Sequence, residues 1–277
     1  MNNTLQGKIG IFDSGYGGLT IFREIQALTP QYDYIYLGDN ARAPYGSRSF
    51  DVVYEFTRQA VRRLFDEGCQ LVILACNTAS AKALRTIQQV DLPKWDNSRR
   101  VLGIIRPTVE AIDACTKNKH IGLLGTAGTI RSKSYEIEIE KLSSAIKVTG
   151  EACPMWAPLV ENNEFDKPGA DYYIRQHINN LLERNPAIDA IILGCTHYPL
   201  LLPKIRQFTP SHIQIIEQGK LVANSLLDYL YRHSEIESRC SKGGTILFYT
   251  TEAEDKFKEM ASLFWNIPKT VKRIQLG

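Results

Sequence analysis

The chain has 277 residues, 44% of them hydrophobic, and a formal net charge of +3, which is enough for a large core and two domains of the usual size, roughly 100 to 200 residues each. No run approaches the roughly 18 apolar residues that a membrane helix needs, and the start, Met1 to Lys8, is polar with no apolar signal region. The basic pairs Arg62-Arg63 and Arg99-Arg100 lack the aromatic interleaving of a nucleic-acid surface, so the expectation is a cytoplasmic protein with neither membrane nor nucleic-acid partner.

Lys8 to Phe12 reads as a first strand, and Asp13-Ser14-Gly15-Tyr16-Gly17-Gly18 is a glycine-rich turn into a helix from Leu19 to about Leu28. Tyr34 to Leu37 gives a second strand, and Gly38 to Gly46 is a loop by its turn formers. Val53, Phe56, Ala60, Val61 and Leu64 form an apolar stripe at helical spacing, which Gly68 ends. Leu71 to Leu74 then delivers Cys76 into a polar turn, and a helix follows from Thr78 to about Gln89. Asp91 to Arg100 is a connection; Val101 to Ile105 is a strand halted by Pro107. Ile121 to Leu124 with Gly125-Thr126-Ala127-Gly128-Thr129 repeats the opening strand and turn, placing Thr126 opposite Ser14 and Gly125 opposite Asp13. Ile146 to Thr149 is a strand, Cys153 to Glu164 a loop that continues to Ala170, and a helix runs from about Asp171 to Glu183. Ala190 to Leu193 delivers Cys195 as Leu71 to Leu74 delivers Cys76. A helix (Leu200 to Phe208), a strand (Ile213 to Ile216), a helix (Leu221 to Tyr231), a strand (Thr245 to Tyr249), a helix (Glu252 to Phe264) and a strand (Val271 to Ile274) complete the chain.

Strands alternating with helices predict parallel α/β architecture, and the internal repeat predicts two similar α/β domains related by a pseudo-twofold axis. The first comprises residues 1–99 plus 213–277 and carries Cys76; the second comprises 100–212 and carries Cys195. Ligands in open parallel sheets bind beyond the carboxyl ends of the strands, so the site is expected in the cleft between the domains, with both thiols in it.

Of the six cysteines, none forms a close C-x-x-C pair, and Cys69, Cys115, Cys153 and Cys240 read as structural. A lone cysteine after a strand reads as a buried small hydrophobe; the paired occurrence of Cys76 and Cys195 points instead to chemistry. Asn77-Thr78 and Thr196-His197 are helix-starting types, so each sulfur is expected to meet free backbone N–H groups that lower a thiol's pKa and also bind carboxylates. Two such thiols across a cleft can act as base and acid on opposite faces of one carbon, which inverts a stereocentre without a cofactor. Asp13-Ser14-Gly15 alone would pass for a helix cap. The glycine-rich turn lacks the lysine of a P-loop and carries an aspartate that repels phosphate. His197 has no second histidine at ligand spacing, so no metal site is expected.

Phe12-Asp13-Ser14-Gly15, Gly38-Asp39 with Pro44-Tyr45-Gly46, Ala75-Cys76-Asn77-Thr78-Ala79, Pro158-Leu159-Val160-Glu161 and Gly194-Cys195-Thr196-His197-Tyr198-Pro199-Leu200-Leu201 together resemble the motif set of glutamate racemase. Phe248-Tyr249-Thr250-Thr251 near the end is similar too. The resemblance implies Cys76 and Cys195 as the acid/base pair, with Cys76 deprotonating D-glutamate and Cys195 L-glutamate. It implies Asp13 as assistant to Cys76, and Glu161 and His197 as assistants to Cys195. The implied substrate contacts are Ser14, Pro44, Tyr45, Gly46, Asn77, Thr78, Thr126, Thr129 and Thr196. It implies no cofactor, D-glutamate supply for peptidoglycan, and glutamate as the partner molecule; assembly varies within the family and includes homodimers. Only about eight residues precede the first strand, so the activating N-terminal extension of some members is expected to be absent. Two other readings stand beside this one: a racemase for aspartate or another acidic amino acid, and a two-lobed protein that closes on a carboxylate without chemistry.

Overall fold

A computed structural model describes residues 6–266 and 270–277; the polar start from Met1 to Leu5 lies outside the described residues. Among the described residues ten strands form two sheets. They are β1 (Ile9–Asp13), β2 (Tyr34–Gly38), β3 (Leu71–Leu74), β4 (Arg100–Gly103), β5 (His120–Gly125), β6 (Lys147–Ala152), β7 (Ala190–Gly194), β8 (Gln214–Ile216), β9 (Ile246–Thr250) and β10 (Val271–Arg273). The first sheet runs β10-β9-β2-β1-β3-β4 and the second β6-β5-β7-β8, and every pairing is parallel. Within the first sheet the run β2-β1-β3-β4 has the same order as β6-β5-β7-β8. The chain therefore holds two α/β domains of one plan, and the first adds β9 and β10 at its edge.

The inner strands form where the sequence is apolar without alternation, because helices cover both sheet faces there and every position is dry. All five residues of β1, β2 and β7 and all four of β3 are buried. The helix Leu19–Leu28 buries Leu19, Ile21, Phe22 and Ile25, and Phe22 meets Tyr34, Tyr36, Phe248 and Trp265 in an aromatic cluster. Each such side chain contributes about 1.5–3 kcal/mol by leaving water. The helix Phe50–Asp66 starts at Ser49, whose hydroxyl accepts from Val52 N–H, and buries Val53, Ala60, Val61 and Leu64. Gly68, at φ +88°, makes the left-handed turn that ends it.

Several expectations need correction. The strand expected over 101–105 stops at Gly103, and Pro107 sits in the first turn of the helix Ile105–Ile112, where its missing N–H costs nothing. The loop expected from Cys153 to Glu164 contains the helix Trp156–Glu161, and the helix expected at Asp171 begins at Pro168 for the same first-turn reason. The helix expected from 78 to 89 is broken: Asn77–Lys82 is followed by a short turn, a π-helical segment Ile87–Asp91 and a last turn Leu92–Trp95. The boundaries expected at 99/100 and 212/213 each miss a strand, since β4 pairs with β3 in the first sheet and β8 with β7 in the second. Both are edge strands, β4 with only Val101 of its four residues buried and β8 with only Ile216 of its three. Their membership is decided by what they pair with, which their composition does not reveal.

After β8 the chain returns to the first domain, where the helix Gly219–Arg232 packs on Leu19–Leu28. Among the described residues no helix is long and apolar enough to cross a membrane.

Candidate active site

The central strands β1 and β5 end at Asp13 and Gly125, and each is flanked by a strand that leads to a cysteine. After β3, Cys76 caps the helix Asn77–Lys82. Its Sγ accepts from Ala79 N–H at 3.5 Å and lies 3.4 Å from Ser14 Oγ. After β7, Cys195 enters a tighter turn leading to the 3-10 segment Tyr198–Leu201. Its Sγ lies 3.8 Å from His197 Nδ1, and His197 Nε2 lies 3.0 Å from Glu161 Oε1 at the end of the helix Trp156–Glu161. The second thiol thus meets an imidazole where the first meets a helix N-terminus, contrary to the expectation of backbone N–H groups at both.

The lobes close on each other around these cysteines. Gly128 N–H donates to Gly46 O at 2.7 Å, and Thr20 Oγ1 donates to Thr196 O at 3.1 Å. Thr78 Oγ1 from the first lobe lies 2.9 Å from Thr126 Oγ1 of the second. Gly17 is required by this approach: a Cβ there would stand 2.3 Å from Thr196 Oγ1 and 2.5 Å from His197 Nδ1.

Between the lobes is a cavity of about 100 Å³ lined by Cys76, Cys195, Glu161 and His197 together with Ser14, Pro44, Tyr45, Gly46, Asn77, Thr78, Thr126 and Thr196. Two residues expected at the site do not line it. Asp13 and Thr129 are wholly buried, Thr129 behind Thr126 and Thr78, whose hydroxyls it meets at 3.0 and 3.4 Å. Tyr45 by itself reads as a surface residue, yet it is buried, with its hydroxyl donated to the Asp39 carboxylate and its ring packed against Phe12 and Phe56. Sequence reasoning missed Ser47, Ala127, Cys153, Pro154, Ala157 and Pro158 in the lining. The internal repeat held the signal for most of them: β6 corresponds to β2, so the turn after β6 reaches the cavity as the Pro44–Tyr45–Gly46 turn does.

Burial dominates the charges. It pushes the Cys76 thiol up to about 12, with the neighbouring Asp13 adding to the rise and the Ser14 and Ala79 contacts opposing it. The lowered thiol value expected at a helix N-terminus is therefore not found, because one 3.5 Å N–H contact is weaker than complete removal from water. Burial also raises Asp13 above the ordinary carboxylate value of 3.8 despite the attraction of His197 and the Gly15 N–H, which reaches Asp13 Oδ2 at 2.9 Å. Asp13 Oδ1 has no hydrogen-bond partner among the described residues. At His197 burial acts against the charged form, but the hydrogen bonds and charges of Cys195 and Glu161 outweigh it and hold the imidazole well above its usual range. The site therefore offers a protonated thiol on one side, and on the other a sulfur beside an imidazolium.

The sequence model of the Asp/Glu/Hydantoin racemase family matches residues 18–226. A glutamate racemase of Shouchella clausii is 38% identical over 260 residues, covering 94% of this chain and 90% of the relative. Among solved structures, a glutamate racemase of Bacillus anthracis is similar with a TM-score of 0.88 and 33% identity, covering 98% of both chains. A glutamate racemase of Francisella tularensis, solved in complex with D-glutamate, is similar at 0.86 and 28%, again covering 98% of both. With this match along nearly its whole length, the chain belongs to the glutamate racemases of the Asp/Glu/Hydantoin racemase family.

Proposed function

We propose that the protein interconverts L- and D-glutamate by carrying protons between Cα and two thiols, Cys195 taking the proton from the L-isomer and Cys76 from the D-isomer. One sulfur, as thiolate, forms the new S–H bond as the Cα–H bond breaks. The other thiol gives its proton to the opposite face, and the next turnover in reverse restores both. The observation that carries this reading is that equivalent strands of the two lobes bring two cysteines to one cavity in different proton environments. Cys76 is held as a thiol with a proton to give, and Cys195 lies beside the imidazolium of His197. Glu161 orients and charges His197, while Asp13 assists Cys76 from beneath. Hydroxyls and the amide at Ser14, Asn77, Thr78, Thr126 and Thr196, with Pro44, Tyr45 and Gly46 shaping the wall, hold the two carboxylates and leave the α-ammonium unreacted. Thr129 acts through Thr78 and Thr126.

In this reading no cofactor takes part, and the D-glutamate serves peptidoglycan in a bacterial cytoplasm. The lobes comprise residues 6–103 with 217–277 and residues 104–216. Polarimetry on L-glutamate, after dialysis against chelator and without pyridoxal phosphate, tests the reading. Decay of optical rotation to zero is expected, and activity that returns only with added metal or pyridoxal phosphate overturns it. Aspartate turned over as fast as glutamate favours the broader acidic amino-acid racemase, and binding without turnover favours a carboxylate-binding protein. Sedimentation at several concentrations reports whether the protein forms a homodimer.

A further inference from the structure

Behind the Cys76 turn, at the joint where the chain crosses between lobes, three buried polar side chains, Asn77, Gln218 and Tyr135, close a hydrogen-bonded ring, and a fourth, Thr108, is tied to it. Gln218 stands on the crossover back to the first lobe, between β8 and the helix Gly219–Arg232. Thr108 stands on the outward crossover, just after β4, and Tyr135 lies in the second-lobe helix Ser134–Leu142. Asn77 is the first residue of the helix that Cys76 caps. All four are at most 3% exposed.

The donors and acceptors fix one direction around the ring. Asn77 Nδ2 donates to Gln218 Oε1 at 2.7 Å, Gln218 Nε2 donates to the Tyr135 hydroxyl at 2.8 Å, and that hydroxyl donates to Asn77 Oδ1 at 2.6 Å. The second hydrogen of Gln218 Nε2 goes to Thr108 Oγ1 at 2.7 Å, and Thr108 donates onward to Ile104 O at 2.8 Å. Turning both amides over would set Gln218 Oε1 against Ile104 O, which lies 3.5 Å from the present Nε2, and would oppose two acceptors. Burial also keeps Tyr135 a neutral phenol, able to donate. Asn77 Oδ1 is thereby turned inward, one Nδ2 hydrogen is used, and among the described residues the other has no acceptor. Asn77 itself lines the cavity.

We propose that Gln218 is a positioning residue for racemisation, whose amide, closed in a ring with Asn77 and Tyr135, holds the free N–H of Asn77 toward the substrate and ties it to the joint between the lobes. The proposal rests on the racemase reading for its substrate, and it gives Gln218 and Tyr135 a role that neither has by touching the cavity. A single conformation of Asn77 is set by both chain crossovers, so the contact to substrate is in register only when the lobes are closed as here.

A double-mutant cycle tests it. Gln218→Met should lower kcat/KM for both isomers of glutamate about tenfold, the loss of one well-made hydrogen bond, and should weaken D-glutamate binding by calorimetry by a similar factor. In an Asn77→Ala background the same substitution should change either quantity less than about twofold, because the group it positions is gone. Tyr135→Phe should follow the same pattern. An equal loss in both backgrounds, or unchanged kinetics and binding in a folded Gln218→Met protein, overturns the proposal. Should Gln218→Met fail to fold, the isosteric Gln218→Glu, which can donate to at most one of Tyr135 and Thr108, carries the same two outcomes. A parent protein that binds D-glutamate without turnover sinks the racemase reading alone, since the cycle then reads on binding.

Discussion

The two halves of the site share a backbone plan and differ in how they handle a proton. On the first side Cys76 caps a true helix, touches Ser14 and Ala79 N–H, and lies above a buried Asp13; burial makes it a weak acid. On the second side Gly125 replaces the aspartate at the end of the central strand. The polar neighbour of the second sulfur comes instead from the turn itself, His197, which in turn meets Glu161 of a neighbouring helix. Duplicated strands can therefore place two like groups symmetrically, while the residues around the strand ends decide what each of them meets. A reversible racemase needs its two thiols in different surroundings, and the structure provides them: Cys76 is held as a thiol by burial, while an imidazolium stands beside the sulfur of Cys195.

The largest expected effect comes from deleting either thiol. Cys76→Ala and Cys195→Ala should each lower racemisation by roughly a hundredfold to ten-thousandfold, the usual range for a general acid or base, with circular dichroism unchanged. A variant that racemises glutamate near the parent rate would end the two-thiol comparison. In deuterated water the thiol that donates already carries deuterium. Newly formed enantiomer should therefore contain deuterium at Cα while remaining substrate keeps protium early in the reaction; mass spectra showing equal early exchange in both would point to a single base.

The next effect sharpens the asymmetry. His197→Asn and Glu161→Gln should slow the steps at Cys195, and Asp13→Asn those at Cys76, by about tenfold or more each. Because the equilibrium ties the two directions together, the contrast should be read in α-deuterium isotope effects measured separately with D- and L-glutamate. Identical changes in all three variants would mean the assistants are not divided between the thiols.

Alkylation probes the resting state directly. With its thiol pushed up to about 12, Cys76 should react with iodoacetamide at neutral pH more than about a hundredfold slower than an unperturbed thiol of pKa near 8.5. Peptide mapping that finds Cys76 labelled at the free-thiol rate would refute its assignment as the protonated partner.

The smallest effect is on stability. Asp13 binds its proton more tightly folded than unfolded, so its contribution is fully present below the unfolded value near 3.8 and is lost as pH rises through the raised folded value. Urea unfolding of Asp13→Asn beside the parent should show the difference shifting in favour of the variant as pH rises from 3.8. A constant offset across that range would place the folded carboxyl at its ordinary value.

Much of this molecule was legible in the sequence, because its inner strands are dry on both faces and the same strand-and-turn pattern occurs twice along the chain. Uninterrupted apolar runs such as Leu71–Leu74 and Ala190–Ile191–Ile192–Leu193 announce parallel strands, and a cysteine at the end of each announces the site. The helix Phe50–Asp66 could be read from the spacing of its apolar residues and its stop at Gly68 from the residue type, since both are set locally. Tertiary structure decided the remainder. The sheet that β4 and β8 join depends on partners far along the chain. The wall from Cys153 to Pro158 is functional only because β6 sits where it does. Above all, the proton states of Cys76, Asp13 and His197 depend on how completely water is excluded and on which charges lie within hydrogen-bonding reach. Those are properties of three-dimensional burial, and local sequence carries no measure of them.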